Sequence, residues 1–360
     1  MSGQVVTKRR DADQIGRALQ PWLSRQLPGH SLDALTVTAP SGHGFSNDTV
    51  MVDAAVDGRA VPLVVQAAPT GPGLFPEYPI GRMAAVQRDL RDHSDVPIAN
   101  VRWFEADSSV LGAPFYVMDR IDGLVPDESP TSYHCSGWVF DATAPQRRQM
   151  WLSSLESMGR LHRVDVAAHF PYLTATRWGM QLDADPAAER IRQWRDFTVW
   201  ASETGNPPRR LMDAWDILAK TLPARPDRLS INWGDAKLGN LMFRDFDVVA
   251  LLDWELCGVG PAEEDLTGFI AVDAVLASIS STSRIDGFLS HDETITAYQE
   301  ILRRKLIGTE WWYVFALAKM AAEVHRLMLR SQQLGAIPDG VDIEAVNIAI
   351  PLLSDALGRL

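Results

Sequence analysis

Asn232-Trp233-Gly234-Asp235-Ala236-Lys237-Leu238-Gly239-Asn240, followed by the apolar run Val248-Val249-Ala250-Leu251-Leu252 into Asp253-Trp254-Glu255, decides how this 360-residue chain is read. Asp235 and Asn240 stand five apart, and Asp253 comes eighteen after Asp235. A carboxylate at the end of a buried strand needs a cation or hydrogen bonds to stay charged. Magnesium suits such oxygens, because it takes one or two protein ligands and completes its shell with water and phosphate. Singly, a turn Asp, a capping Asn and a strand-end Asp would explain each residue. Their spacing, in the setting of the rest of the chain, points to a shared purpose.

Upstream of this stretch the first third reads as strands. Leu35-Thr36-Val37-Thr38, Thr49-Val50-Met51-Val52 and the run from Val61 to Val65 are short and β-branched, with Ser41-Gly42-His43-Gly44 and Asp57-Gly58 as punctuation. A helix is expected over about 80–91, a buried strand from Phe115 to Met118, and a turn at Asp122-Gly123. Beyond about residue 145 the pattern turns helical. Trp151, Leu155, Met158 and His162 recur at spacings of four, three and four, which puts them on one face and makes His162 a packed residue. Further helices are expected over 187–201, 209–220 and 310–333, the last stopped by Gly335. The fold class is therefore α+β. A small sheet-rich lobe occupies 1–120 and a larger, mainly helical lobe 121–360, with a cleft between them as the place for a ligand.

Composition narrows the function. Apolar residues make up 46% of the chain, enough for a core in each lobe. The net charge of −12 argues against a nucleic-acid partner, which calls for a basic stripe, and is compatible with a cationic substrate or with solubility alone. Cys135 and Cys257 are too few for a disulfide framework or a zinc site, as expected for a reducing compartment. Lys8, Arg9 and Arg10 have no apolar stretch behind them, and no run approaches the roughly 18 apolar residues of a membrane span. A cytoplasmic protein with no membrane partner is expected, its oligomeric state left open.

The Asp-x-x-x-x-Asn spacing and the later Asp resemble the phosphotransferase enzyme family that holds aminoglycoside phosphotransferases and choline kinases, a branch of the protein-kinase-like superfamily. The resemblance runs from about residue 35 to about residue 270 and implies a two-lobed kinase-like fold, with ATP and Mg2+ as cofactors and a small hydroxylated molecule as acceptor. By it, Asp235 orients the acceptor hydroxyl and takes its proton, Asn240 binds magnesium, and Asp253 bridges magnesium to the phosphates. Lys237 either neutralises charge on the transferring phosphoryl group or is a solvated loop lysine. Gly42, Gly44, Phe45, Ser46 and Asn47 stand where the family's phosphate loop lies, and Asp119 to Gly123 resembles the interlobe hinge, with Met118 or a neighbour lining the base pocket. Asp265 matches a structural acid after the metal Asp, and Trp233 and Trp254-Glu255 replace the His and Phe-Gly of other kinases.

Two positions depart from the pattern. Gln66 stands where relatives carry the strand cation for the phosphates, and Met83 or Gly81 where a helix Glu would hold that cation. A pseudokinase or nucleotide-binding module without turnover is the rival that this departure favours. An unrelated ATP-dependent fold would need a Walker loop, and no Gly-x-x-x-x-Gly-Lys-Ser/Thr occurs. Trp194, Trp200 and Trp311-Trp312-Tyr313 are expected to be helix-packing residues, with an aromatic cage for a cation as the alternative.

Overall fold

The computed structural model describes residues 11–38, 47–69, 71, 73–128, 132–203, 205–280 and 283–360. Contacts divide the chain into two compact units, one running to Asp92 and resuming over Ile98–Asp122, the other holding His93–Pro97 and Gly123–Leu360.

The first unit is built on an antiparallel sheet of order β1-β2-β3-β5-β4, formed by β1 (Leu32–Thr38), β2 (Asp48–Val56), β3 (Arg59–Ala67), β4 (Val101–Glu105) and β5 (Phe115–Asp119). The three expected N-terminal strands and the strand from Phe115 are all present, each extended by a few residues. Asp57 and Gly58 close the β2–β3 hairpin with φ of 49° and 71°, the left-handed pair that matches a two-residue turn to the strand twist. Alternation along β3 and β5 decides what each face meets. Leu63, Val65, Ala67, Phe115 and Val117 pack with Ile15, Leu19, Trp22 and Leu23 of α1 (Ala12–Gln26). Sequence reasoning left α1 unassigned; Pro21 lies inside it and reads as a helix breaker. Its apolar spacing of four, three and one nevertheless lines one face, and Trp22 fixes it by donating to Glu105 at 2.8 Å. Gln66 and Tyr116, paired in register on β3 and β5, have the opposite parity. α2 (Ile80–His93) buries Met83, Val86, Gln87 and Leu90.

The second unit is mainly helical. It contains the single-turn α3 (Trp138–Asp141), α4 (Ala144–Arg163), the single-turn α5 (Val166–His169), α6 (Pro186–Ala201), α7 (Arg209–Lys220), α8 (Ala262–Ser278), α9 (His291–Leu302), α10 (Thr309–Gln333) and α11 (Ile350–Leu357). The helices expected over 187–201, 209–220 and 310–333 are α6, α7 and α10. Gly335 just past α10 takes φ 72°, as a C-terminal stop requires. Two small antiparallel pairs interrupt the helices: β6 (Ser230–Asn232) with β9 (Gly258–Gly260), and β7 (Leu241–Arg244) with β8 (Asp247–Leu251). Leu251 at the end of β8 donates its N–H to the carbonyl of Pro97 at 2.9 Å, so a residue from before β4 completes the hydrogen bonding of this strand.

The tryptophans of this unit are packed, not caged around an open site. Trp311 and Trp312 are buried at the start of α10, and Trp311 stacks on Phe315. Trp194 stacks on Trp178, and the ammonium of Lys319 lies 5.0 Å from its ring. Arg326 lies 4.5 Å from Trp200. The protein's own cations thus sit against the rings that an external cation would need. Among the described residues no helix is long and apolar enough to cross a membrane.

Candidate active site

β6 is entirely buried and delivers the chain into the loop 233–240. The loop is suspended from Asp265, in the first turn of α8. The backbone N–H groups of Trp233 and Gly234 donate to its two oxygens at 2.7 and 2.9 Å. His162 lies 2.9 Å from the same carboxylate through Nε2 and 2.5 Å from the Tyr298 hydroxyl through Nδ1. A neutral imidazole meets both by donating from Nε2 and accepting at Nδ1. Burial works against the charge on Asp265, but these hydrogen bonds and the His162 ring hold its carboxyl below its ordinary value. His162 and Asp265 are therefore buried structural residues, as expected from sequence. Gly234 has φ 91°, and a Cβ there would stand 2.4 Å from the Leu256 carbonyl oxygen, so only glycine fits. Lys319 of α10 donates to the Gly234 carbonyl.

Three of the expected residues meet at Asp235. Lys237 approaches its Oδ2 at 2.9 Å, and the side-chain amide of Asn240 donates to the same oxygen at 2.7 Å and to the Asp235 carbonyl at 3.0 Å. A short 3-10 turn over Leu238–Asn240 makes this possible by folding Asn240 back. Burial raises the pKa of Asp235, but the charges of Lys237 and Lys319 and the hydrogen bonds from Lys237 and Asn240 outweigh it and leave it below the usual carboxylate value. Burial works against the charge on Lys237, but Asp235 and Glu128 outweigh it and raise its pKa. Lys237 is ion-paired, with a quarter of its side chain exposed. Asp235 keeps a fifth of its side chain open, so the carboxylate is organised without being sealed off.

Asp253 lies two residues beyond β8 with φ 58°, in the left-handed region that a non-glycine residue rarely adopts. Its Oδ1 is buried and has no hydrogen-bond partner among the described residues. Burial and the charge of Asp235 push its pKa up to about 6, against the pull of Lys237. A carboxylate held this way fits a cation. Among the described residues no group of three or more His, Cys, Asp or Glu could hold a metal. The pair of Asp253 and Asn240 instead matches an ion that draws most of its ligands from water and phosphate, as magnesium does.

Sequence reasoning missed two contributors. Glu128 accepts from the Gly239 N–H at 2.9 Å, and its carboxyl occupies the space a Gly239 side chain would need, 2.3 Å from an ideal Cβ. Burial raises the Glu128 pKa, and Lys237 opposes this. Gln87, in the first unit, donates to the Tyr116 hydroxyl at 3.0 Å and to the Met83 carbonyl at 3.1 Å, and Tyr116 donates to Gln66. The position expected to hold a strand cation thus carries a neutral chain, Gln66 to Tyr116 to Gln87. The polar partner comes one helical turn after Met83, whose side chain is fully buried. Of the other expected nucleotide contacts, Met118 lies on β5 opposite Val64, and Asn47 immediately precedes β2. Gly42, Gly44, Phe45 and Ser46 lie outside the described residues.

Comparison with known proteins places this geometry. The phosphotransferase enzyme family model matches residues 37–305. Among curated proteins, the chain is 25% identical over 229 residues to the Arabidopsis thaliana protein "Probable acyl-CoA dehydrogenase IBR3", a match covering 61% of this chain and 26% of that protein. It is 24% identical over 322 residues to human acyl-CoA dehydrogenase family member 11, covering 85% of this chain and 38% of that protein. The chain thus spans between a quarter and two-fifths of the length of these relatives. Among solved structures, a Ralstonia eutropha protein provisionally assigned as an aminoglycoside phosphotransferase has TM-score 0.71 at 21% identity, covering 95% of this chain and 98% of that one. An aminoglycoside phosphotransferase, APH(4)-Ia, solved as a thermostable mutant in ternary complex with AMP-PNP and hygromycin B, has TM-score 0.52 at 14% identity, covering 96% and 98%. These structural likenesses establish the two-lobed kinase-like fold, and the family match extends from the first sheet through the loop 233–240 and Asp253. The chain belongs to the phosphotransferase enzyme family.

Proposed function

We propose that the protein is an ATP- and magnesium-dependent phosphotransferase acting on a hydroxyl of a small molecule. The observation that carries this is the convergence of Lys237 and Asn240 on the one Asp235 carboxylate, with the strained Asp253 on the same unit, its buried Oδ1 without a hydrogen-bond partner among the described residues. Asp235 accepts the acceptor's hydroxyl proton as the oxygen bonds to the terminal phosphorus and the bond to the departing ADP oxygen breaks. Its lowered pKa keeps it ionised and ready for that proton at neutral pH. Lys237 offsets charge beside it, and Asn240 fixes its rotamer. Asp253 and the Asn240 amide oxygen would hold magnesium, which would supply shielding of phosphate charge when bound. Ternary complexes of a fold neighbour with AMP-PNP support ATP as donor.

The names of the curated relatives suggest the acceptor class. They are acyl-CoA dehydrogenases longer than this chain, so we propose a hydroxylated acyl thioester as the molecule phosphorylated. The test is calorimetric titration of ATP with and without magnesium into the parent and Asp253→Ala, followed by transfer of labelled phosphate to hydroxyacyl-CoA and aminoglycoside acceptors. Magnesium-dependent binding lost in Asp253→Ala, with Asp235→Ala inactive in transfer, is the expected result. Transfer by Asp235→Ala at the parental rate would sink the proposal. The neutral Gln66 to Tyr116 to Gln87 chain favours a second reading, a nucleotide-binding module without turnover; binding with no transfer to any acceptor would select it.

A further inference from the structure

A pocket beside the Asp235 loop is lined by Asp235, Val272, Phe315, Lys319, Met320 and Glu323, with a cavity volume of about 30 Å³, room for one small polar group. Its charged members are nearly all committed. Lys319 is spent on the Gly234 carbonyl. Glu264, also on its wall, is paired with Arg190 at 2.6 Å, and Asp265 holds His162 and two backbone N–H groups. Glu323 is different. It follows Lys319 by one helical turn, and its Oε1 is buried with no hydrogen-bond partner among the described residues.

We infer that Glu323 is the specificity residue for the acceptor, its carboxyl group donating a hydrogen bond to a carbonyl oxygen of the molecule whose hydroxyl is held at Asp235. This rests on the phosphotransfer reading and sharpens its acceptor class. An acid whose Oε1 is buried in a pocket shared with Phe315, Met320 and Val272 loses little by being neutral and much by being charged. Accordingly burial raises Glu323 to about 7; Lys319 and Lys237 oppose this and Asp235 adds to it. A neutral carboxyl presents one O–H donor, which matches a thioester carbonyl. An acceptor with a hydroxyl and a carbonyl on one short chain would set the hydroxyl at Asp235 and only its carbonyl oxygen, one small polar group, in the pocket at Glu323.

The experiment compares the parent, Glu323→Gln and Glu323→Leu with 3-hydroxybutyryl-CoA, 4-hydroxypentanoyl-CoA and kanamycin as acceptors, each variant checked by thermal melting. Glutamine keeps an N–H donor and leucine does not. The expected result is a KM for the thioester raised about tenfold in Glu323→Leu and within about threefold of the parent in Glu323→Gln, with kcat little altered. Equal KM values in all three proteins would overturn the inference. So would a glutamine variant as defective as the leucine one, which would make Glu323 an anionic acceptor of hydrogen bonds, and so would transfer to kanamycin alone or to no acceptor. Loss of magnesium-dependent ATP binding in the parent would instead remove the phosphotransfer reading itself.

Discussion

Asp253 combines a left-handed backbone with a buried, unpartnered oxygen, two conditions that each destabilise a folded chain and that persist where function requires them. Its folded pKa of about 6 lies above the ordinary 3.8. Between those values the folded state keeps a proton that the unfolded state has lost, so stability falls as pH rises through the window. Asp253→Asn should therefore stabilise the metal-free protein above pH 6 by on the order of 1 kcal/mol, the partly open position screening the remainder. Denaturant titrations at pH 4.5 and pH 7.5 check this, and an equal effect at both would contradict it. At Asp235, replacement by Asn keeps the Asn240 and Lys237 neighbours but removes the proton acceptor; transfer should drop by about 10²–10⁴-fold with ATP binding retained. At Gln66, the double change Gln66→Arg with Gln87→Glu restores a cation and its carboxylate. It should tighten Mg-ATP binding by about tenfold or more, since a charge-assisted contact contributes about 1.5–3 kcal/mol. Unchanged affinity by calorimetry would show that the neutral chain is not what sets nucleotide affinity.

At the scale of elements, the loop 233–240 is held by side chains from four helices: α4, α8 and α9 through His162, Asp265 and Tyr298, and α10 through Lys319. Tyr298→Phe removes one hydroxyl from this line and should lower stability by about 1–3 kcal/mol through the buried His162 nitrogen left unmet. Transfer should weaken with it through kcat more than KM; melting curves and kinetics on one preparation read both. The same network shows what a sequence can and cannot disclose. Asp235, Lys237 and Asn240 were legible because one turn brings them together, and β1 to β3 and β5 because alternation and turn residues are local signals. The partnership of His162 with Asp265 spans 103 residues and that of His162 with Tyr298 spans 136, so no periodicity could reveal them. Glu128 and Gln87 escaped for a related reason: each reads as an ordinary polar residue until its partner arrives from another element. α1 was hidden by Pro21, which tertiary burial of Trp22 and Leu23 overrides.

At the scale of the whole molecule, the two units have separate cores, and α1 with the sheet forms one of them. Leu19→Ala, at a site 2% exposed in that core, should cost about 2–5 kcal/mol of the first unit's stability. Hydrogen exchange of β2 and β3 amides should report the loss while the α8 and α10 amides keep their protection; uniform loss across both would mean the units unfold as one. The bond from Leu251 to the Pro97 carbonyl has a further consequence, for the order in which the protein is made. Pro97 leaves the ribosome long before β8 exists, and β4 and β5 follow it into the first sheet. The five residues His93–Pro97 must then wait, already translated, for a strand encoded some 150 residues later. A gene divided between Asp122 and Gly123 would yield a C-terminal polypeptide whose β8 keeps β7 but lacks the Pro97 carbonyl, so that this bond forms only when the two halves are expressed together.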